Sequence, residues 1–224
     1  LPIGKEILMT FVRWAETQCR KAGVKVELGR EVTPQLVKEL NPEVVIVATG
    51  AAALVPEIPG IDKPHVVIAE DVLRGRVTVG KKVIILGGYG QTGVETADFI
   101  VEKKLAESVT IVMRSSGKRL AAGMDPVNRA YLMQVIWPTL GIKVIRSTDV
   151  QEITDKGVIT IDREWRTNEL EADTVVLARG YVPRRGLYDA LNGQVPELYA
   201  IGDCVSARNI RAAVHEGSYA ARQI

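Results

Sequence analysis

The stretch KVIILGGYGQTGVETADFI, residues 82–100, decides the fold. The apolar run Val83–Leu86 predicts a buried strand, and the glycine-rich turn 87–93 leads from it into a helical pattern that runs to about Leu105. A second apolar run, Val109–Met113, follows the helix. This strand–helix–strand order predicts a right-handed crossover in a parallel sheet.

The turn itself reads GxGxxG between the predicted strand and the predicted helix. In this context Gly88 permits the tight turn, Gly90 lets the backbone approach a pyrophosphate, and Gly93 lets the helix sit close to the strand. With Gln91 and Thr92, these residues would hold the phosphates at the helix N-terminus, where main-chain N–H groups favour negative charge. The alternative is a glycine-rich turn without a ligand.

The end of the second strand indicates which dinucleotide binds. An acidic residue usually holds the adenosine ribose there, but no carboxylate occurs at this tip. Arg114, the hydroxyls of Ser115 and Ser116, and the charge of Lys118 or Arg119 are suited to a 2′-phosphate. The sequence therefore favours NADP(H) over NAD(H), and the alternative is a solvated basic loop.

Two further strand exits carry small or acidic residues. The β-branched run 44–48 ends at Thr49-Gly50, and the short run 198–201 ends at Gly202-Asp203. Small residues let a cofactor lie against the backbone, and an acid ahead of a helix can bind ribityl or ribose hydroxyls. Each fragment alone is too common to be informative.

The other predicted elements follow from periodicity and breakers. The predicted helices are 5–22, a Thr33-capped helix to Leu40, 69–73, Pro126–Trp137 and one that starts near Ile210. The predicted strands are 24–28, 143–145, 150–153, 158–161 and 174–178, with a hairpin turn at 155–157. Segment 51–80, which contains several Pro and Gly residues, is interpreted as a domain linker.

Composition narrows the function classes. Apolar residues make up 46% and charged residues 25%, and the 29 basic and 27 acidic side chains are scattered. This balance gives no reason to expect nucleic acid or a membrane as partner, and a cytoplasmic location is expected. Cys19 and Cys204 lack the spacing of a metal, Fe–S or redox-disulfide site, so we predict no metal and treat both as small buried residues.

The order of these motifs resembles the two-dinucleotide-binding flavoproteins typified by glutathione reductase. The motifs are Ala48-Thr49-Gly50, GxGxxG, Ala178-Arg179-Gly180 and Gly202-Asp203. Further strings resemble the C-terminal portion of the 2,4-dienoyl-CoA reductase and trimethylamine dehydrogenase branch of the old yellow enzyme group. They are Pro59–Asp62, Ala69–Leu73, Gly202–Cys204 and Ala213–Gly217.

The resemblance implies an α/β fold of two Rossmann-like domains. An NAD(P)-binding domain, 78–182, would be inserted into a truncated FAD-type domain formed by 1–77 and 183–224. Hydride would pass from NAD(P)H to FAD, with Thr49, Gly50, Gly202 and Asp203 on the flavin side. Electrons would continue to a 4Fe-4S cluster and FMN in an N-terminal barrel, which this sequence lacks and which would hold the substrate. We predict no catalytic side chain, since hydride transfer belongs to the cofactors.

One departure from the family pattern lies at the start of the chain. The first GxGxxG, which holds the ADP part of FAD, has no counterpart before the helix at 5–22. We therefore expect a fragment with weak or absent FAD binding. Runs 44–48 and 198–201 would lose a neighbouring strand, and their exposed edges could support a dimer. The alternative function is a non-catalytic nucleotide (ADP)-binding or docking module.

Overall fold

The computed structural model describes residues 4–116 and 120–224, which form two compact units. Unit 1 is the chain up to Thr17 together with Leu54–Gly180, and unit 2 is Gln18–Ala53 with Tyr181–Ile224. The units divide after residues 17, 53 and 180, whereas the sequence placed the boundaries after 77 and 182. The assignment of one unit to NAD(P) and the other to FAD stays a prediction.

The elements are numbered in chain order. The strands are β1 (Val44–Val47), β2 (Ala51–Ala53), β3 (Val66–Ile68), β4 (Lys82–Leu86), β5 (Ser108–Met113), β6 (Lys143–Arg146), β7 (Thr148–Thr154), β8 (Gly157–Asp162), β9 (Thr167–Glu171), β10 (Thr174–Leu177), β11 (Tyr181–Pro183) and β12 (Glu197–Ala200). The α-helices are α1 (Leu8–Lys21), α2 (Pro34–Leu40), α3 (Ala69–Leu73), α4 (Gln91–Glu102), α5 (Pro126–Tyr131), α6 (Trp137–Leu140), α7 (Gly186–Leu191) and α8 (Ile210–Ala220).

Unit 1 is built on a parallel sheet with the strand order β3-β10-β4-β5-β6. The predicted strand–helix–strand unit is confirmed as β4-α4-β5, and the α/β class is confirmed with it. Strand β4 is buried on both faces, as its continuous apolar run predicts. Its Ile85 packs in a cluster with Val94 and Ile100 of α4, whereas Ile84 and Leu86 pack in a second cluster.

That second cluster is covered by an antiparallel meander, β7-β8-β9. The hairpin β7-β8 contributes Val150, Ile153 and Val158, which are all buried. The predicted turn at 155–157 is confirmed, while β9 was not anticipated. The parallel sheet therefore has helices on one face and the meander on the other, and the carboxyl ends of its strands share one edge.

Three sequence predictions differ from the structure. Segment 51–80 is more than a linker, since β3 pairs with β10. Residues 24–28 form no strand; they find no pairing partner within the described chain, and Leu28 is 88% exposed. The helix at 126–140 contains a π-helical turn, Leu132–Ile136, because Pro138 has no N–H to continue the regular ladder.

Unit 2 has a smaller core. Strands β1 and β12 pair in parallel, and β2 pairs antiparallel with β11. The sequence led us to expect β1 and β12 beside a missing strand, but they pair with each other. Val47 and Cys204 are buried between the strands and α2 and α7. The prediction of a buried thiol is thus confirmed for Cys204 and wrong for Cys19, which is exposed.

Across the part of the chain that the structure describes, no helix combines the length and the apolar character needed to cross a bilayer.

Candidate functional site

The glycine turn joins the carboxyl end of β4 to the first turn of α4. Gly90 is the N-cap residue, with φ −83° and ψ 171°, and as a glycine it has no side chain to cap the helix. A Cβ atom placed on Gly90 would meet no atom of residues 4–116 or 120–224 within 4 Å. The main chain at the start of α4 is therefore open where an anionic group can approach the first N–H groups.

The neighbouring glycines are enclosed rather than open. A Cβ on Gly88 would lie 3.0 Å from Ile111 Cγ2, and one on Gly93 would lie 3.3 Å from Ala178 Cβ. Gly93 thus allows the close contact between helix and strand, as predicted. The positive φ of the tight turn, +137°, falls on Gly87, one residue earlier than the sequence argument placed it.

A strap formed by residues 120–124 packs against the turn. Ala121 N–H donates to the Gly88 carbonyl at 2.7 Å, and Gly123 N–H donates to the Tyr89 carbonyl at 3.2 Å. Arg129 Nε holds the strap by donating to the Leu120 carbonyl at 2.8 Å. Sequence reasoning missed this strap, because no local pattern marks a backbone contact between two loops.

The side chains of Gln91 and Thr92 lie on the first turn of α4. Gln91 Nε2 donates to Glu95 Oε1 at 2.5 Å, and the same carboxylate forms an ion pair with Lys5. The Thr92 carbonyl accepts from the Thr96 hydroxyl at 2.7 Å. Gln91 is therefore directed along its own helix, so its contribution to a phosphate site would come through its main-chain N–H.

Arg114 lies at the end of β5, as predicted, and its side chain is 80% exposed. Its Nε atom is 3.5 Å from Asp149 Oδ2, a contact that the sequence did not reveal. The Ser115 carbonyl accepts from the Ser147 N–H at 3.1 Å, which joins this tip to the turn after β6. Lys118 and Arg119, the other predicted cations, lie outside the described residues.

In unit 2, the residues that follow β1 are held by hydrogen bonds to Arg184, which follows β11. The Thr49 hydroxyl donates to the Arg184 carbonyl at 2.6 Å, and the Arg184 N–H donates to the Gly50 carbonyl at 2.9 Å. Gly50 has φ +71°, and within the described part of the chain a Cβ there would meet nothing within 4 Å. Thr49 is thus part of the loop framework, while the main chain at Gly50 is open.

The exit of β12 lies at the same end of the parallel pair, since Ile201 N–H donates to the Val47 carbonyl at 3.0 Å. Gly202 has φ +68°, and its N–H donates to Glu216 Oε2 at 2.7 Å. Asp203 Oδ1 accepts from the Arg208 N–H at 3.1 Å. The structure therefore brings the two predicted pairs, Thr49-Gly50 and Gly202-Asp203, to one edge.

Glu216 on α8 was not predicted as part of this edge. The Arg208 guanidinium, which forms an ion pair with Glu216, and the Gly202 N–H hold the pKa of that carboxyl below its usual 4.5. Glu216 thus remains charged at neutral pH and ties α8 to the Gly202 turn. Glu216 belongs to the family-like string Ala213–Gly217, but its contacts with Arg208 and Gly202 could be identified only from the folded chain.

The comparisons with known proteins agree with this architecture. A family model described as pyridine nucleotide-disulphide oxidoreductase matches residues 9–217. NADH oxidase of Thermoanaerobacter brockii is 34% identical over 226 residues, which cover 99% of this chain and 34% of that protein. Cinnamate reductase of Clostridium sporogenes is 31% identical over 225 residues, which cover 100% of this chain and 33% of that protein.

Solved structures give the same result. A 2-naphthoyl-CoA reductase complex matches with a TM-score of 0.83 at 30% identity, over 92% of this chain and 31% of that one. Thioredoxin reductase of Lactococcus lactis matches with a TM-score of 0.62 at 22% identity, over 80% and 63%, and shows the shared fold alone. The chain spans about a third of the length of the two relatives named above. Because the family model extends over nearly all of it, this chain belongs to the pyridine nucleotide-disulphide oxidoreductases.

Proposed function

We propose that unit 1 binds a pyridine nucleotide, NADP(H) in preference to NAD(H), with its pyrophosphate at residues 88–93. The open main chain at Gly90 is the observation that carries this proposal. A side chain at that position would occupy the space in front of the helix, so glycine keeps this space free for a ligand. The first N–H groups of α4 then supply donors for phosphate oxygens, and Gly88 and Gly93 keep the turn close to the sheet.

The preference for NADP(H) rests on Arg114 and Ser115. Arg114 extends from the end of β5, the strand next to β4, so it lies on the same edge of the sheet as the glycine turn. Its exposed guanidinium can donate two charge-assisted hydrogen bonds to a 2′-phosphate. The Ser115 hydroxyl would add a neutral donor beside it.

The edge of unit 2 is proposed as the flavin side. Bound there, FAD would supply the acceptor for hydride from the nicotinamide. The residues of this chain would position it: the bare main chain at Gly50 admits a flat group, and Asp203 has a carboxylate oxygen to accept from a ribityl hydroxyl. The Gly202 N–H is already engaged by Glu216, so Gly202 would contribute through its left-handed turn.

The whole protein is proposed to be a flavin-dependent NAD(P)H oxidoreductase of the 2,4-dienoyl-CoA reductase and trimethylamine dehydrogenase branch. This assignment rests on sequence strings such as Pro59–Asp62 and Ala213–Gly217 and on relatives about three times as long as this chain. In such a protein, a barrel with FMN and a 4Fe-4S cluster would be the electron acceptor and the substrate site. Among the described residues, β1 and β12 each have one unpaired edge, which supports the proposed dimer contact.

Titration with NADPH, NADH and ADP tests the proposal. Arg114→Ala should weaken the binding of NADPH by about 1–3 kcal/mol, the cost of a lost charged hydrogen bond, and leave the binding of NADH nearly unchanged. Arg74→Ala, at an exposed position of the same unit, is the control and should change neither constant. An equal loss of affinity for NADPH and NADH would show that Arg114 does not distinguish a 2′-phosphate from a 2′-hydroxyl. Equal binding of ADP and NADPH would favour the non-catalytic alternative.

A further inference from the structure

A carboxylate from the meander lies beside Arg114 at the edge of the parallel sheet that carries the glycine turn. Asp149 on β7 places Oδ2 3.5 Å from Arg114 Nε and Oδ1 2.7 Å from Arg179 Nη2. Arg179 lies just after β10 and Arg114 just after β5, so the two cations follow the strands on either side of β4. The Asp149 carboxylate therefore forms ion pairs with two arginines at the edge that carries the glycine turn.

A left-handed residue, Ser147, lies between β6 and Asp149 on β7. Ser147, between β6 and β7, has φ +55°, and its N–H donates to the Ser115 carbonyl at 3.1 Å. This bond ties Ser147 to the residue that follows Arg114. The acidic residue that the sequence lacks at the end of β5 is thus supplied from a different strand.

The two oxygens of Asp149 differ in how they are used. Oδ1 accepts from Arg179 and from the Val150 N–H at 3.0 Å. Oδ2 has Arg114 Nε at 3.5 Å, which is longer than a normal N–H···O bond, and accepts no hydrogen bond from the residues that the structure describes. The side chain is 32% exposed. The carboxylate is therefore anchored through Oδ1 and partly exposed, and Oδ2 keeps its capacity to accept a hydrogen bond from a ligand hydroxyl.

We propose that Asp149 is a second specificity residue, which accepts a hydrogen bond from the adenosine ribose hydroxyls of NADH. The inference rests on the proposed nucleotide site. A carboxylate accepts a hydrogen bond from a hydroxyl and repels a dianionic 2′-phosphate, whereas the Arg114 guanidinium attracts that phosphate. The choice between NADH and NADPH is then set by this acid–base pair, with Arg179 as the positioning residue that fixes Asp149.

The test is Asp149→Asn, with dissociation constants measured for NADH and NADPH. Loss of the charged acceptor should weaken NADH about tenfold. NADPH should bind as in the wild type or more tightly, because the repulsion is gone. Asp149→Glu keeps the charge and should retain most of the NADH affinity. Arg179→Gln should weaken NADH and spare NADPH, which a purely structural role would not do.

An unchanged NADH constant, or an equal loss for both nucleotides, would overturn the assignment of Asp149. If Asp149→Asn does not fold, Asp149→Ser removes the same charge with a smaller side chain and carries the same expectations. Wild-type protein that binds neither nucleotide would reject the proposed function itself. Wild-type protein that binds both, with Asp149 variants that lose no selectivity, would reject only this inference.

Discussion

Four glycines near the start of α4 have different surroundings. A Cβ on Gly87 would lie 2.2 Å from the Ala178 carbonyl oxygen, and Gly88 and Gly93 are close to side chains or backbone. Gly90 alone among them faces open space. Substitution at Gly87, Gly88 or Gly93 should therefore disturb the fold, while substitution at Gly90 should leave the fold intact and impair only the proposed nucleotide binding. This difference separates the structural contribution of the motif from its functional one.

At the same scale, Glu216 links stability to pH. Its pKa is depressed by Arg208 first and by the Gly202 N–H second. A carboxyl with a depressed pKa stabilises the fold above its unfolded-state pKa, and this stabilisation is lost as the pH falls through the folded pKa. Glu216→Gln should therefore reduce stability at pH 7, and the difference from the wild type should shrink below the ordinary carboxyl pKa of 4.5.

Urea unfolding at pH 7 and pH 3 measures this effect. Glu43→Gln, at an exposed position of the same unit, provides a charge-matched control and should show little change at either pH. If Glu216→Gln lowers the free energy of unfolding as much at pH 3 as at pH 7, the carboxylate charge is not what stabilises the turn.

Helix α4 begins at the glycine turn and also carries an acidic residue, Asp98, in an unfavourable environment. Burial raises the pKa of Asp98, and the nearby charges of Glu102 and Glu95 raise it further. Asp98 Oδ1 is buried and has no hydrogen-bond partner within the described chain. A raised carboxyl pKa costs stability above that pKa, and the cost disappears once the pH lies below the unfolded value.

Asp98→Asn should therefore raise the melting temperature at pH 7, and the gain should vanish near pH 3. Thermal unfolding followed by circular dichroism checks both conditions. Asp62→Asn, at an exposed site of the same unit, removes a charge without this burial and should stay within about 0.5 kcal/mol of the wild type. A gain of equal size at pH 3 would refute the charge argument for Asp98.

The elements that the sequence predicted well are those with a strong period or a clear breaker. Strands β4, β5 and β10 are continuous apolar runs, and α8 begins after the capping residue Asn209. Residues 24–28 alternate like a strand, but alternation forms a strand only when a neighbour supplies hydrogen bonds. Strands β3 and β11 are only three residues long, so pairing rather than local pattern determines them.

For the molecule as a whole, the sequence located the candidate site but not its supports. GxGxxG, Arg114 and the two strand exits follow from residues that are close in sequence. The strap at 120–124 and the approach of Asp149 to Arg114 depend on contacts between distant segments. Such contacts leave no periodic signal in the sequence. The sequence therefore showed no carboxylate near the end of β5 and favoured NADP(H), although Asp149 of β7 lies beside Arg114.

The measurement that tests the central claim most directly compares nucleotide binding by Gly90→Ala and Gly186→Ala. Gly90 has backbone angles that alanine adopts readily, and it faces open space among the described residues. The free energy of unfolding of Gly90→Ala should therefore differ from that of the wild type by less than about 1 kcal/mol. Gly186, in unit 2, also faces open space and serves as the control. We predict that Gly90→Ala weakens NADH and NADPH together by at least about tenfold, roughly 1.4 kcal/mol, while Gly186→Ala binds both as the wild type does. Wild-type affinity in Gly90→Ala would contradict a pyrophosphate site at this turn.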